Sequence, residues 1–438
     1  MPERVAGREV FVARIVMVAA GALNSAGVTA SGMLFTYGSG AEGQLGHGDL
    51  GERLRPERIG RELFGGQPVV MVACGMGHTM MLTVGDVWTC GNGEYGKLGH
   101  GDVTVPTGGW RSTLKGTRRS SWWQLVNCIA WHSVVVGSEG GVWTWGHGVC
   151  LGHKDIQHRH VPTLLPVAAF VGGKVVMVAA GGHTVAVTSK GVLWAWGDNA
   201  NGQLGIGGLK QVQIEPALVE AKDVVGGSLV CMAACGEDHT LIVTEEGTLW
   251  TCGKGENGAL GHNDINDWQV PTLVEAHHFG NVKVVSAAAG YFHSAAVTEL
   301  GGLYTWGQGQ EAEDASPAGL GHNDMLAKLV PTCVAQHLLQ GAHVGRCHSL
   351  PPPHALAFAM GTHARLGSAA PTATPTGGDS RRSRRLEGKA PAAAADTSTD
   401  CAYVTMPGEL VQRVVEACAS WPEGRWGRWR AWCGCWGV

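Results

Sequence analysis

Val69-Val70-Met71-Val72-Ala73-Cys74 leads through Gly75-Met76-Gly77 into His78-Thr79-Met80-Met81-Leu82-Thr83, then Val87-Trp88-Thr89-Cys90-Gly91, and closes on Lys97-Leu98-Gly99-His100. Three short apolar runs broken at glycine read as strands covered on both faces and joined by tight turns. The phrase returns along the chain. Its His, or the residue in its place, falls at Asn24, His78, His132, His183, His239, His293 and His348, at separations of 54, 54, 51, 56, 54 and 55. The Leu of Leu-Gly falls at Leu45, Leu98, Leu151, Leu204, Leu260, Leu320 and Leu366. A period of this length built from strands marks supersecondary units that bury their apolar faces only against one another.

The opening proline of each unit recurs at Pro2, Pro56, Pro106, Pro162, Pro216, Pro271, Pro331 and Pro407, so seven full periods lie between the first and the last. The expectation is an all-β, seven-bladed β-propeller of antiparallel sheets. Residues 1–367 hold the repeats. Residues 368–400, rich in Ala, Pro, Ser and Thr, have the composition of a disordered insert in the last repeat. Residues 401–420 return to the repeat phase, and 421–438 form an irregular tail of Trp and Arg. Because Pro2 to Ala20 and Pro407 to Ala419 compete for one phase, one terminus is expected to supply the strand that zips the first and last blades.

Composition narrows function more by exclusion than by indication. Gly is 68 of 438 residues, about twice the usual ~7%, and it sits at fixed repeat phases. A net charge of −4 with 16% charged residues offers no general grip on a phosphate backbone, so direct nucleic-acid binding is not expected. The apolar run from Val10 to Leu23 is broken by Arg14 and aligns with a repeat strand, so no membrane span is expected. Cys74 and Cys235 share a phase with Ala20 and Ala289, and Cys90 and Cys252 share one with Trp145, Trp196 and Trp306. Such cysteines read as buried fillers in a reducing compartment, cytoplasmic or nuclear, where Arg381-Arg382 and Arg384-Arg385 would also suit a nuclear address.

Three glycine loops match a dinucleotide fingerprint, at Gly38-x-Gly40-x-x-Gly43, Gly91-x-Gly93-x-x-Gly96 and Gly253-x-Gly255-x-x-Gly258. Each runs into Leu-Gly instead of a helix whose N-terminus could hold a pyrophosphate, so they read as turns. Histidines repeated at one phase serve the blade by hydrogen bonding. His153, His158 and His160 form the one tight non-repeat cluster, unframed by Cys or carboxylate at ligand spacing. The Asp of each Leu-Gly-His-x-Asp, as at Asp49 and Asp264, is a turn residue. No catalytic constellation, cofactor or metal is assigned on these grounds.

With Leu193-Trp194-Ala195-Trp196-Gly197 and Asn201-Gly202-Gln203-Leu204-Gly205, Phe35-Thr36-Tyr37-Gly38 and Gly43-Gln44-Leu45-Gly46-His47-Gly48-Asp49, the chain resembles the regulator of chromosome condensation repeat family. The resemblance implies seven-bladed propellers and a choice of roles: exchange factor for the small GTPase Ran, substrate-binding propeller of HECT ubiquitin ligases, or ultraviolet-B receptor. That receptor carries Trp-Arg pairs just before the repeated His; here the series is absent, and photoreception is not expected. Positions that do not repeat carry the functional signal. Met76, Trp131, Glu237, Asp238, Tyr291, Phe292 and Arg346 stand at this phase, and aromatic and Arg anchors beside acids suit a protein partner. The reading is a non-enzymatic scaffold, adaptor or regulatory propeller; the alternatives are nucleotide exchange on a Ran-type GTPase, or recognition of a ubiquitination substrate.

Overall fold

A computed structural model describes residues 15–334, apart from 84, 104–108, 116–122, 129–130, 167–168, 172, 209, 221–226, 309–319, 323 and 325; over 111–130 it defines strands only. All described residues belong to the first of two units, Met1–Ala369; the second, Ala370–Val438, holds none of them. They form six antiparallel sheets of four strands, each in simple meander order. The blades span Ile15–Ile59, Val69–Lys115, Trp123–Leu164, Val175–Leu218, Val230–Leu273 and Val284–Cys333. First strands of consecutive blades pack side by side, so the sheets are arrayed like blades around an axis. Among the described residues no helix is long and apolar enough to cross a membrane.

The blade count corrects the sequence reading: six four-stranded blades are present among the described residues, not seven. The period alone overcounts because it ignores backbone chemistry. The second strand of every blade is buried at all six positions and paired on both edges. In the seventh copy, Pro351-Pro352-Pro353 stands at that phase, and proline, with no N–H and a fixed φ, is excluded from a central strand. The zipping of the termini, the insert at 368–400, the return at 401–420 and the tail at 421–438 lie outside the described residues.

The core lies between blades. Trp145, Trp196 and Trp306 are fully buried there, with Trp194 close behind. Trp88, Trp143 and Trp250 pack against the same clusters but keep some exposure. The fourth strands face solvent, as the pattern of Arg53–Ile59 shows, with only Pro56 and Ile59 buried. Cys74, Cys90, Cys150, Cys235 and Cys252 are buried free thiols, while Cys231 and Cys333 are exposed.

The repeated letters explain themselves as contacts between blades. Thr79 Oγ1 donates to the Gln44 carbonyl of the preceding blade at 2.7 Å, as Ser133 does to Lys97 at 2.8 Å and Thr240 to Gln203 at 2.7 Å. A hydroxyl has one proton, so its remaining contact must come from a donor. That donor is the repeated His, or Asn24, of the neighbouring blade: Asn24 Nδ2 lies 2.9 Å from Thr79, His78 Nε2 3.1 Å from Ser133, and His239 Nε2 2.9 Å from Ser294. The same carbonyls take a second donor from Trp145 and Trp196 Nε1 at 2.9 Å each, or from the Cys90 and Cys252 thiols at 3.4 and 3.6 Å. Trp and Cys interchange at this phase because both present a proton to one carbonyl.

A second device ties each outer loop to its own blade. Thr36 Oγ1 donates to the Leu45 carbonyl at 2.7 Å and accepts from His47 Nε2 at 3.0 Å; Thr89 and His100, Thr144 and His153, Thr251 and His262, and Thr305 and His322 repeat the arrangement. Blade 4 has Ala195 and Ile206 instead, both partners having changed to apolar groups together. The third strand must end in glycine: Gly91 sits at φ 110°, and a Cβ there would lie 2.7 Å from His78 Cα.

Candidate protein-binding face

The register fixes which loops share a face. His78 pairs with Gly91, His239 with Gly253, and Gly253 in turn with Trp268. The turn between first and second strands therefore emerges at the same end of each sheet as the glycine loop after the third. Met76, Trp131, Glu237, Asp238, Tyr291 and Phe292 all occupy these turns, so the common face read from the sequence is brought together. Arg346 lies outside the described residues. Met76 and Tyr291 are 42% and 45% exposed, as is Leu23 of blade 1 at 47%. Trp131, Phe292, Glu237 and Asp238 are half-buried, so Trp131 and Phe292 neither stand free nor fold under completely.

Between blades 2 and 3 the face is aromatic. Tyr95 packs edge-on to Trp131 at 5.8 Å and against His147 and His158 at 5.0 and 4.9 Å, and the buried Lys97 places its Nζ 5.5 Å above the Trp131 ring. Tyr95 holds φ 59°, a left-handed conformation that costs a bulky residue on the order of 1–3 kcal/mol. Asn257 occupies the matching place in blade 5 at φ 60° with a residue that tolerates it. Tyr95 and Lys97 were invisible to the sequence reading because they lie in loops understood only as turns. The one available signal was an aromatic where a sister loop has Asn.

Between blades 4 and 6 the face is acidic. Blade 4 carries Gly181-Gly182 at the turn phase, and a Cβ on Gly181 would lie 2.9 Å from Cys235 Cβ. Without side chains there, the Trp131 indole of blade 3 reaches across to hydrogen-bond the Glu237 carboxylate of blade 5. The other oxygen, Oε2, is buried without a hydrogen-bond partner among the described residues. Burial, then the negative charges of Asp238 and Asp198, push Glu237 up to about 7 against the opposing pull of the Trp131 hydrogen bond. Asp238 is raised as well, by burial first and then by Asp198, Asp267 and Glu256, with Lys254 working against them. Lys254 is itself engaged by Glu256 at 2.5 Å. Tyr291 is raised by burial and then by Glu237 and Asp238, and its ring stands 4.4 Å from Phe292.

A carboxyl titrating near neutrality is the raw material of acid–base catalysis. Here its neighbours are further carboxylates and aromatic rings. The remaining candidates resolve into structure. His153 bonds Thr144 at 3.1 Å and His158 Nδ1 accepts from the Gly148 N–H at 3.0 Å, so each of these two rings is engaged within its own blade. The glycine fingerprints close as turns, with Gly43 N to Gly40 O at 2.7 Å and Gly96 N to Gly93 O at 2.8 Å. Asp49 accepts from Gly51 N at 2.9 Å, and Asp264 from Asn266 N at 3.0 Å.

Comparison with known proteins fits this architecture. The chain is 33% identical over 318 residues to the ultraviolet-B receptor UVR8 of Arabidopsis thaliana, covering 71% of this chain and 68% of that protein. It is 32% identical over 310 residues to the human E3 ubiquitin-protein ligase HERC2, covering 69% of this chain but 6% of the ligase. The crystal structure of Prp20p from Saccharomyces cerevisiae shares the fold, with a TM-score of 0.62 at 23% identity over 73% of this chain and 77% of that one. Residues 2–350 match the RCC1-like domain, and the chain belongs to that family of β-propellers.

Proposed function

We propose that this chain is a non-enzymatic interaction propeller whose aromatic and acidic face binds a protein partner through that partner's Arg or Lys side chains. The observation that carries the reading is Glu237, held half-buried by Trp131 with one oxygen unpartnered and its charge opposed by Asp198 and Asp238. A carboxylate in that state gains most from an incoming cation, and the flanking Trp131, Tyr291 and Phe292 supply the flat apolar contacts that anchor a guanidinium or an alkyl-ammonium. Exposed Met76 and Leu23 extend the surface with apolar area.

The named roles of the relatives narrow this reading without replacing it. Photoreception is not carried over from UVR8, because Met76-Gly77, Gly181-Gly182, Glu237-Asp238 and Tyr291-Phe292 stand at the turn phase. A Ran-type small GTPase, as the family resemblance implies, or a ubiquitination substrate, as a ligase relative would suggest, is a special case of a bound partner. The test is capture of interacting proteins by the full chain and by W131A/Y291A/F292A. Loss of the specific partners in the triple variant, with thermal stability retained, is expected. Undiminished capture would overturn the choice of face.

A further inference from the structure

The links between blades emerge on the side opposite the binding face, and two of them have the same build. In the link after blade 1, Arg61–Phe64 forms a single 3-10 turn; after blade 5, Ala276–Phe279 does the same. Each turn is pinned by a buried phenylalanine, Phe64 or Phe279, and Phe279 packs edge-on to Tyr304 at 5.2 Å and Trp306 at 6.2 Å. Each ends in two left-handed residues, Gly65-Gly66 or Gly280-Asn281. Backbone bonds lock the second turn, with Gly280 N to His277 O at 3.0 Å and Asn281 N to Ala276 O at 2.9 Å.

The shared positions are architectural, and the others differ in chemistry. Where the first link has Gly60, Glu62 and Leu63, the second has Glu275, His277 and His278. Glu275 Oε2 lies 2.9 Å from His277 Nδ1, the His277 and His278 rings are 4.0 Å apart, and one donor atom from each of the three falls within 4.8 Å of the others. Donors around a tetrahedral zinc ion stand roughly 3.4 Å apart, given metal–ligand bonds of about 2.0–2.1 Å. Small side-chain rotations therefore close the set, and Glu275 and His277 are exposed and free to make them. Two imidazoles and a carboxylate suit a borderline divalent ion of the zinc kind. The rigid turn beneath them reduces the ordering cost of binding.

We infer that Glu275, His277 and His278 form a three-ligand site for a zinc-type divalent ion, with a fourth position open to water or to a donor from another molecule. In the sequence Glu275, His277 and His278 stand off the repeated histidine phases, and only the fold of the turn at Ala276–Phe279 draws their side chains together. It stands on a different face from Glu237 and does not depend on the proposed partner.

The test is calorimetric titration of tag-free, chelator-stripped full chain with zinc chloride, compared with H277A/H278A and with E275Q. Thiols elsewhere contribute their own binding, so the diagnostic quantity is the difference: one equivalent present in the wild type and lost in the double variant. E275Q is expected to weaken that equivalent by about tenfold or more, as loss of a ligand costs at least what loss of an outer-shell partner does. Cobalt(II) bound at the same equivalent should show a visible spectrum without a thiolate charge-transfer band. Equal stoichiometry and affinity in wild type and H277A/H278A, with both folded by circular dichroism, would overturn the site.

Discussion

His132 Nε2 lies 2.6 Å from Thr184 Oγ1 across the boundary between blades 3 and 4, while the Thr184 hydroxyl donates to the Cys150 carbonyl at 3.1 Å. The threonine has a single proton, already committed to the carbonyl, so the imidazole donates and is neutral with its proton on Nε2. Replacing Thr184 by Val keeps the volume but leaves the buried His132 N–H without its acceptor, while the Cys150 carbonyl keeps its bond from Trp196 Nε1 at 2.9 Å, a loss of about 1–3 kcal/mol. Urea unfolding of T184V should show this decrease. A variant as stable as the wild type would mean that the relay does not hold the blades.

The same relay makes the fold sensitive to acid. Burial holds His132 and His183 at about 3 and His239 at about 4, and pushes His78 well below its ordinary value. Unfolded histidines take up protons below about 6.5, whereas the folded ones do not. Stability is therefore fully present above pH 6.5 and is lost as the pH falls, by about 2 kcal/mol per histidine at pH 5. Melting temperature followed from pH 7.5 to 4.5 should fall steeply below pH 6, and less steeply in H132N, where a neutral amide can still donate.

Blade 4 predicts a compensation elsewhere. If Ala195 and Ile206 show what the Thr–His pair can become, then T36A should destabilise blade 1 and H47I should do so separately, while T36A/H47I should recover part of the loss. A coupling energy of about 0.5–3 kcal/mol from the double-mutant cycle is expected. Strict additivity would show that Thr36 and His47 act independently despite their 3.0 Å contact.

Glu237 gives the opposite pH signature. Its folded value of about 7 lies above the unfolded 4.5, so its share of stability is present below pH 4.5 and is lost as the pH rises to 7. E237Q should therefore be more stable than the wild type at pH 8, by about 1–3 kcal/mol, and equal to it near pH 4.5. Binding should move the other way: a cationic partner is held more tightly by the wild type above pH 7, and E237Q should abolish that dependence.

What could be read from the letters follows from how each position repeats. The second strands, from Asn24–Thr29 to His293–Thr298, announced themselves as apolar runs because neighbouring blades cover both their faces. The equivalence of Cys90 with Trp145 was visible, but not its reason, since a shared carbonyl acceptor on another blade leaves no local mark. The period counts one blade more than the six among the described residues because Leu366 and His348 keep the phase, whereas Pro351-Pro352-Pro353 is a sequence unsuited to a central strand. At the proposed binding face, the phase of Trp131 and Glu237 was legible. Their contact was not, because it spans a whole blade and depends on two glycines, Gly181 and Gly182, whose significance is the space they leave.

Site-specific photocrosslinking reports the partner's position most directly. A benzophenone side chain placed at Tyr291, on the acidic and aromatic face, is compared with one at Leu63, which is 50% exposed on the opposite side. The account predicts a specific crosslinked partner from Tyr291, lost when Glu237 is changed to Gln, and none from Leu63. A partner trapped from Leu63 and not from Tyr291 would contradict it.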